Sequence, residues 1–128
     1  MEIKLGILLD SQGTLADLNQ TRGLKSVTAY RISKNVKAVT EEFKTYEEHR
    51  TNLCKKYANK DKDGNPIIKE GGNYDIPEEN LEKFLEELKE LHEEMVEIPI
   101  RKVKLEEIDI GLSPAQMESI EYMLDLEG

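Results

Sequence analysis

The sequence predicts a mainly α protein built on an antiparallel, coiled-coil-like helical hairpin, with a small β-hairpin or ordered loop at its tip and short terminal helices and strands at its base. Three observations predict it. Ala29, Ile32, Val36, Val39, Phe43, Tyr46, Arg50, Leu53 and Tyr57 fall alternately three and four residues apart, a spacing that lays one stripe along a helix. Leu81, Phe84, Leu88, Leu91 and Met95 repeat it, with Leu85 widening the stripe. The two segments also carry opposite charge. Leu24 to Lys60 holds nine Lys or Arg and four acids, a net of +5, whereas Pro77 to Glu97 holds nine Glu and two Lys, a net of −7. Neither helix hides its stripe alone, and folding them together buries both. Opposite charge disfavours self-pairing of either helix.

The whole chain, 1–128, is one domain, and its elements follow in order. Segment 1–23 contains "EIKLGILL" and "TLADL", a short extended piece and one or two short helices. Segment 24–60 carries the long helix, placed at about 25–58 and roughly 50 Å long at 1.5 Å per residue. Only Arg50 breaks its apolar rule, and a long stem lies along a seam with its head outside. Segment 61–76 is the tip: "DGN" and "EGGN" are turn chemistry, with "PIIK" and "NYDIP" as short extended runs. Segment 77–96 is the second helix, with Asp75 and Glu78 as a capping box and Pro77 in the first turn. A register matching Tyr57 with Leu81 sets His92 opposite Tyr46 and His49 opposite Lys89. Segment 97–128 begins with a strand-like "VEIPIRKVKL", in which Pro99 demands an edge. It ends in a helix with Ser113 as cap, Pro114 in the first turn and Gln116 completing a capping box. The echo between "IKLGILL" and "VKLEEID" predicts that the two ends pair. The long helix outruns its partner by about 20 Å, so its N-terminal half needs cover from 1–22 and 97–128.

Composition narrows the function. A chain of 128 residues with 38% hydrophobic and 35% charged residues, no Trp and two Phe supports one modest core. The formal net charge of −9 opposes direct nucleic-acid binding, whose affinity comes from Lys and Arg on phosphates. Nothing approaches the roughly 18 apolar residues of a membrane span, and no stretch has the form of a signal peptide. With Cys54 as its single cysteine the chain forms no internal disulfide, which fits a reducing cytoplasm.

Several residues invite chemical readings. "NKDKDGNPIIKE", Asn59 to Glu70, has the frame of a calcium loop, with Asp61, Asp63 and Glu70 as candidate cation ligands. They are disfavoured. The first position is Asn59, Pro66 cannot donate to the short strand that joins paired loops, and Gly71-Gly72-Asn73 starts an exit helix badly. His49 and His92 beside Glu48, Glu93 and Glu94 sketch a metal site, but surface roles are preferred for two widely spaced histidines. Cys54, beside the seam residue Leu53, reads as a buried thiol, and the carboxylates of 78–97 as a solvated face. No phosphate loop, nucleophile elbow or Cys/His cluster is present in the sequence. The chain therefore reads as non-enzymatic and without a cofactor. Surplus apolar stripe marks an interface, assigned to Tyr30, Ile32, Val39 and Tyr46, with Met117, Ile120 and Met123 as a second patch. The expected partner is a protein, including a further copy of the chain. Seven acids and no base between Glu106 and Glu127 make the C-terminal end negative.

The succession "IKLGILLDS", "TAYRISKNVKAVTEEFKTYEEHR", "KYANKDKDGNPI", an acidic Leu-rich helix, "VEIPIRKVKLEEI" and "LSPAQMESIEYML" resembles a family of small proteins of unknown function encoded by tailed phages and prophages of Gram-positive bacteria, often near structural or tail genes. The resemblance spans nearly the whole chain. It implies phage origin and a place in the host cytoplasm or the virion, and it transfers no catalytic residue. Two functions follow as expectations. One is a structural or assembly adaptor or chaperone. The other is a small acidic inhibitor of a host defence or nucleic-acid-binding protein.

Overall fold

One helix organises the molecule. The computed structural model describes residues 1–108 and 111–125 and is mainly α. Strand β1 (Glu2–Lys4) leads into helices α1 (Leu5–Asp10) and α2 (Gln12–Asn19). The long helix α3 runs Ser26–Tyr57, and α4 runs Glu78–Glu93. Strands β2 (Met95–Glu97) and β3 (Val103–Lys104), helices α5 (Leu105–Ile108) and α6 (Pro114–Ser119), a 3-10 turn at Glu121–Met123 and strand β4 (Leu124–Asp125) complete the described chain.

Both terminal segments wrap the N-terminal half of α3. Leu8, Leu15 and Leu18 from one end and Ile98, Val103, Ile108, Ile120 and Met123 from the other pack around Ile32 and Val39. Polar groups fasten this core. Asn35, fully buried on α3, donates from Nδ2 to the Arg101 carbonyl at 2.8 Å and accepts from the Arg101 N–H at 2.8 Å. The amide thus stands in for a neighbouring strand. Thr28 donates to the Glu107 carboxylate. The Ser11 and Tyr122 hydroxyls are 2.9 Å apart, and those of Thr14 and Ser119 are 2.8 Å apart. These polar seats rotate the buried face: it follows Thr28, Ile32, Asn35 and Val39, while Ala29 is exposed and Val36 half-buried. A pattern of apolar residues alone cannot register that rotation.

The termini pair differently from the echo between them. β1 lies antiparallel to β2, with Ile3 opposite Val96, and β3 lies parallel to β4, with Val103 opposite Leu124. The Leu5 N–H donates to the Glu94 carbonyl at 2.9 Å, so α1 abuts the end of α4. Gly6 permits that approach: a Cβ there would stand 3.1 Å from the His92 carbonyl oxygen.

The contacts of α4 run against the chain direction of α3. Phe84 meets Tyr57 edge-on at 6.4 Å, Glu87 pairs with Lys56 at 3.1 Å, and His92 bonds Tyr46. Here the helix begins at Glu78, with no side-chain cap. Asp75 is engaged in the tip, accepting from Asn59 Nδ2 at 3.1 Å, so the capping box expected of Asp75 and Glu78 does not form. Asn80 instead donates from Nδ2 to the Tyr57 carbonyl at the end of α3. The box expected at Ser113 and Gln116 is present in both halves.

The tip repeats with a period of eight residues. Asp61-Lys62-Asp63-Gly64-Asn65 and Lys69-Glu70-Gly71-Gly72-Asn73 form equivalent turns, closed by Gly64 N–H to Asp61 and Gly72 N–H to Lys69. Gly64 and Gly72 have φ of +84° and +88°, the left-handed region that glycine enters without a Cβ penalty. Asn59, Ile67 and Asp75 then form a closed ring of backbone bonds. Asn59 N–H donates to Asp75 at 2.8 Å, Asp75 N–H to Ile67 at 2.9 Å, and Ile67 N–H to Asn59 at 2.8 Å. The "DGN" and "GGN" triplets, eight apart, are the sequence signal of this repeat.

Candidate functional site

A groove of about 640 Å³ lies at the base, between α1 and the α6 region. That volume is in the range of ligand pockets. Its apolar surface comes from Ile3 and Ile7 on one side and from Ala115 and the Tyr122 ring on the other. Ile7 is 45% exposed, whereas the next core position, Leu8, is fully buried. Local folding explains the difference. In a six-residue helix with Leu5 and Leu8 turned to the core, Ile7 must face outward.

Four carboxylates also line the groove: Glu2, Asp10, Glu118 and Glu121. All four are exposed, and the lining contains no Lys or Arg. The groove is therefore apolar inside and negative around. Its hydroxyls are committed elsewhere. Ser119 donates to the Gln116 carbonyl at 2.7 Å and also meets Thr14, and the Tyr122 hydroxyl meets Ser11. Burial pushes the Tyr122 pKa up from its ordinary value, and the Ser11 bond partly opposes that shift.

The structure separates the two residue sets assigned to an interface. Ile32, Val39, Ile120 and Met123 are 0–2% exposed, so they build the core and offer no surface. The surplus of the α3 stripe is covered by the chain's own ends. Tyr46 is buried and bonded to His92, and Met117 is half-buried. Tyr30 alone among them is openly exposed, at 56%, with Lys34 and Arg101 5.8 and 5.7 Å from its ring centre. Nearby Val27 is 61% exposed. The groove residues were absent from the sequence assignment because the two segments that form it are about a hundred positions apart. No periodicity links Ile7 to Tyr122.

The Asp61 carboxylate accepts from the N–H groups of Asp63 and Asn65 at 2.9 and 3.0 Å, closing its own turn. His92 Nε2 bonds the Tyr46 hydroxyl at 2.8 Å, while His49 is exposed. Among the described residues, no three His, Cys, Asp or Glu side chains converge as a cation site. Cys54 is buried, with the Arg50 guanidinium 3.9 Å from its sulfur. Of the acids counted at the C-terminal end, Asp109 and Glu127 lie outside the described residues. No helix among the described residues is long and apolar enough to cross a membrane. Neither a protein-family model, nor a curated protein, nor a solved structure matches the chain.

Proposed function

We propose that this chain is a non-enzymatic protein–protein interaction module, a structural or assembly adaptor. Its design is an antiparallel, coiled-coil-like helical hairpin standing on a folded base, with the eight-residue repeat at its tip. The observation that carries this reading is the groove. It combines apolar walls with exposed carboxylates, and its hydroxyls are tied into the fold, not poised beside a base. Such a surface suits a partner chain better than a reacting substrate. The resemblance to tailed-phage proteins supplies the proposed setting, the host cytoplasm or the virion. The same acidic rim also favours a second reading, an acidic inhibitor seated on a basic host protein. Affinity purification of the tagged chain from infected cells tests both. A phage structural protein recovered in fixed stoichiometry supports the adaptor, and a host factor supports the inhibitor. Recovery of the chain with no partner, neither a foreign protein nor an untagged copy of itself, contradicts both.

A further inference from the structure

The base carries a second surface whose chemistry is the inverse of the groove's. At the start of α3, Val27 and Tyr30 stand 61% and 56% exposed. No acid occurs from Leu24 to Thr40, while Lys25, Arg31, Lys34 and Lys37 do. Arg101 adds a further cation beside the Tyr30 ring. This is an exposed apolar patch on a helix segment whose own charges are all cations, with the Glu107 carboxylate bonded to Thr28 as the acid beside it. The groove is concave and apolar, set among Glu2, Asp10, Glu118 and Glu121. The two surfaces share no residue.

An exposed tyrosine flanked by cations is the kind of anchor that carries interface energy. The groove lining offers these carboxylates no Lys or Arg side chain, and the Met1 ammonium at its edge is paired with Glu97 at 2.7 Å. Two complementary, non-identical patches on one chain specify a heterologous, head-to-tail contact, which propagates into a ring or a filament. The total charge of −9 opposes association in general. Screening beyond about 8 Å at physiological salt leaves the local match to decide.

We infer that the groove between α1 and α6 receives the Val27–Tyr30 patch of a second copy of this chain, giving head-to-tail assembly. The inference deepens the adaptor reading and rests on it, naming the partner of the groove. Tyr30 and Val27 would lie against Ile3, Ile7 and the Tyr122 ring, with Lys25 and Lys34 facing Glu118 and Glu121.

Sedimentation velocity over a concentration series at physiological salt tests this. The wild-type chain should grow in mass with concentration. The groove variant Glu118→Lys/Glu121→Lys and the patch variant Lys25→Glu/Lys34→Glu should each associate at least about tenfold more weakly. All four positions are exposed, and circular dichroism verifies that each variant is folded. Tyr30→Ser should weaken association without altering charge. The decisive arm is the mixture. Each variant keeps one intact surface, and the two reversed surfaces are again opposite in charge, so equal amounts of the two should associate where neither does alone. A wild-type mass that stays monomeric throughout overturns the inference. So does growth that both charge reversals leave unchanged, or a mixture no larger than its components. If the monomeric chain still captures a phage or host protein from infected cells, the adaptor or inhibitor reading survives and only the head-to-tail contact falls.

Discussion

Between Thr28 and Val39 one face of the long helix is covered by both terminal segments, and Ile32, Asn35 and Val39 are at most 2% exposed. Beyond Tyr46 the same helix leans mainly on α4. There the buried hydrophobic residues are Tyr46, Cys54, Ala58 and Phe84, while Leu81 and Leu85 on α4 are 40% and 52% exposed. The base is thus a three-dimensional core fastened by polar groups. The arm is a two-helix contact open along its sides. Since stability follows buried apolar area and satisfied buried polar groups, the two halves of one continuous helix should differ in how readily they open. The difference is compatible with the proposed adaptor role, in which the groove end would be the firmer of the two.

The largest effect should come from the centre of the base. Ile120, fully buried, should cost about 2–5 kcal/mol on change to Ala, through lost transfer energy and the cavity left behind. Denaturant unfolding measures it. A loss below about 1 kcal/mol would mean that the base is not the main core.

Asn35→Ala should cost about 1–3 kcal/mol, because both the N–H and the carbonyl of Arg101 lose their partner inside the protein. Asn35→Asp should be little better, since a carboxylate cannot donate to the carbonyl. An unchanged unfolding midpoint in either variant would show that the clasp is not needed.

Phe84→Ala addresses the arm. Fully enclosed, a Phe loses about 3–5 kcal/mol; beside the open flank of α4 the loss should be smaller, about 1–2 kcal/mol, and confined to α3–α4 contacts. Near-ultraviolet circular dichroism and global unfolding should shift less than in Ile120→Ala. A larger global loss than Ile120→Ala would reverse the comparison.

The smallest effect is a pH dependence at Tyr122. Burial raises its pKa above the ordinary value of 10.0. The folded state therefore favours the protonated hydroxyl. Its contribution is fully present below the unfolded pKa and is lost as pH rises through the folded one. Wild type should lose stability above about pH 10 faster than Tyr122→Phe. Parallel pH profiles for the two would remove Tyr122 from the account.

The arm was more legible in the sequence than the base. Heptad spacing gave both long helices to within a few residues, and the register derived from it set His92 opposite Tyr46, where the hydrogen bond is found. Local chemistry sufficed for the tip turns and for the Ser113 cap. The base depends on non-local pairing. β1 chooses β2 and β3 chooses β4 by how the segments wrap α3, and nothing in "IKLGILL" or "VKLEEID" encodes that choice. Thr28 and Asn35 were missed because buried polar residues are invisible to an apolar count; their partners at Glu107 and Arg101 are more than sixty residues away. The groove was missed for the same reason. Ile7 and Tyr122 become neighbours only after the termini meet.

Hydrogen exchange along α3 tests the central contrast most directly, because one helix samples both surroundings. Backbone amides from Ile32 to Val39 should exchange at least about tenfold more slowly than those from Leu53 to Tyr57, with the amides of α4 following the faster group. Equal protection along the whole of α3, or slower exchange at its C-terminal half, would contradict a rigid base carrying a looser arm.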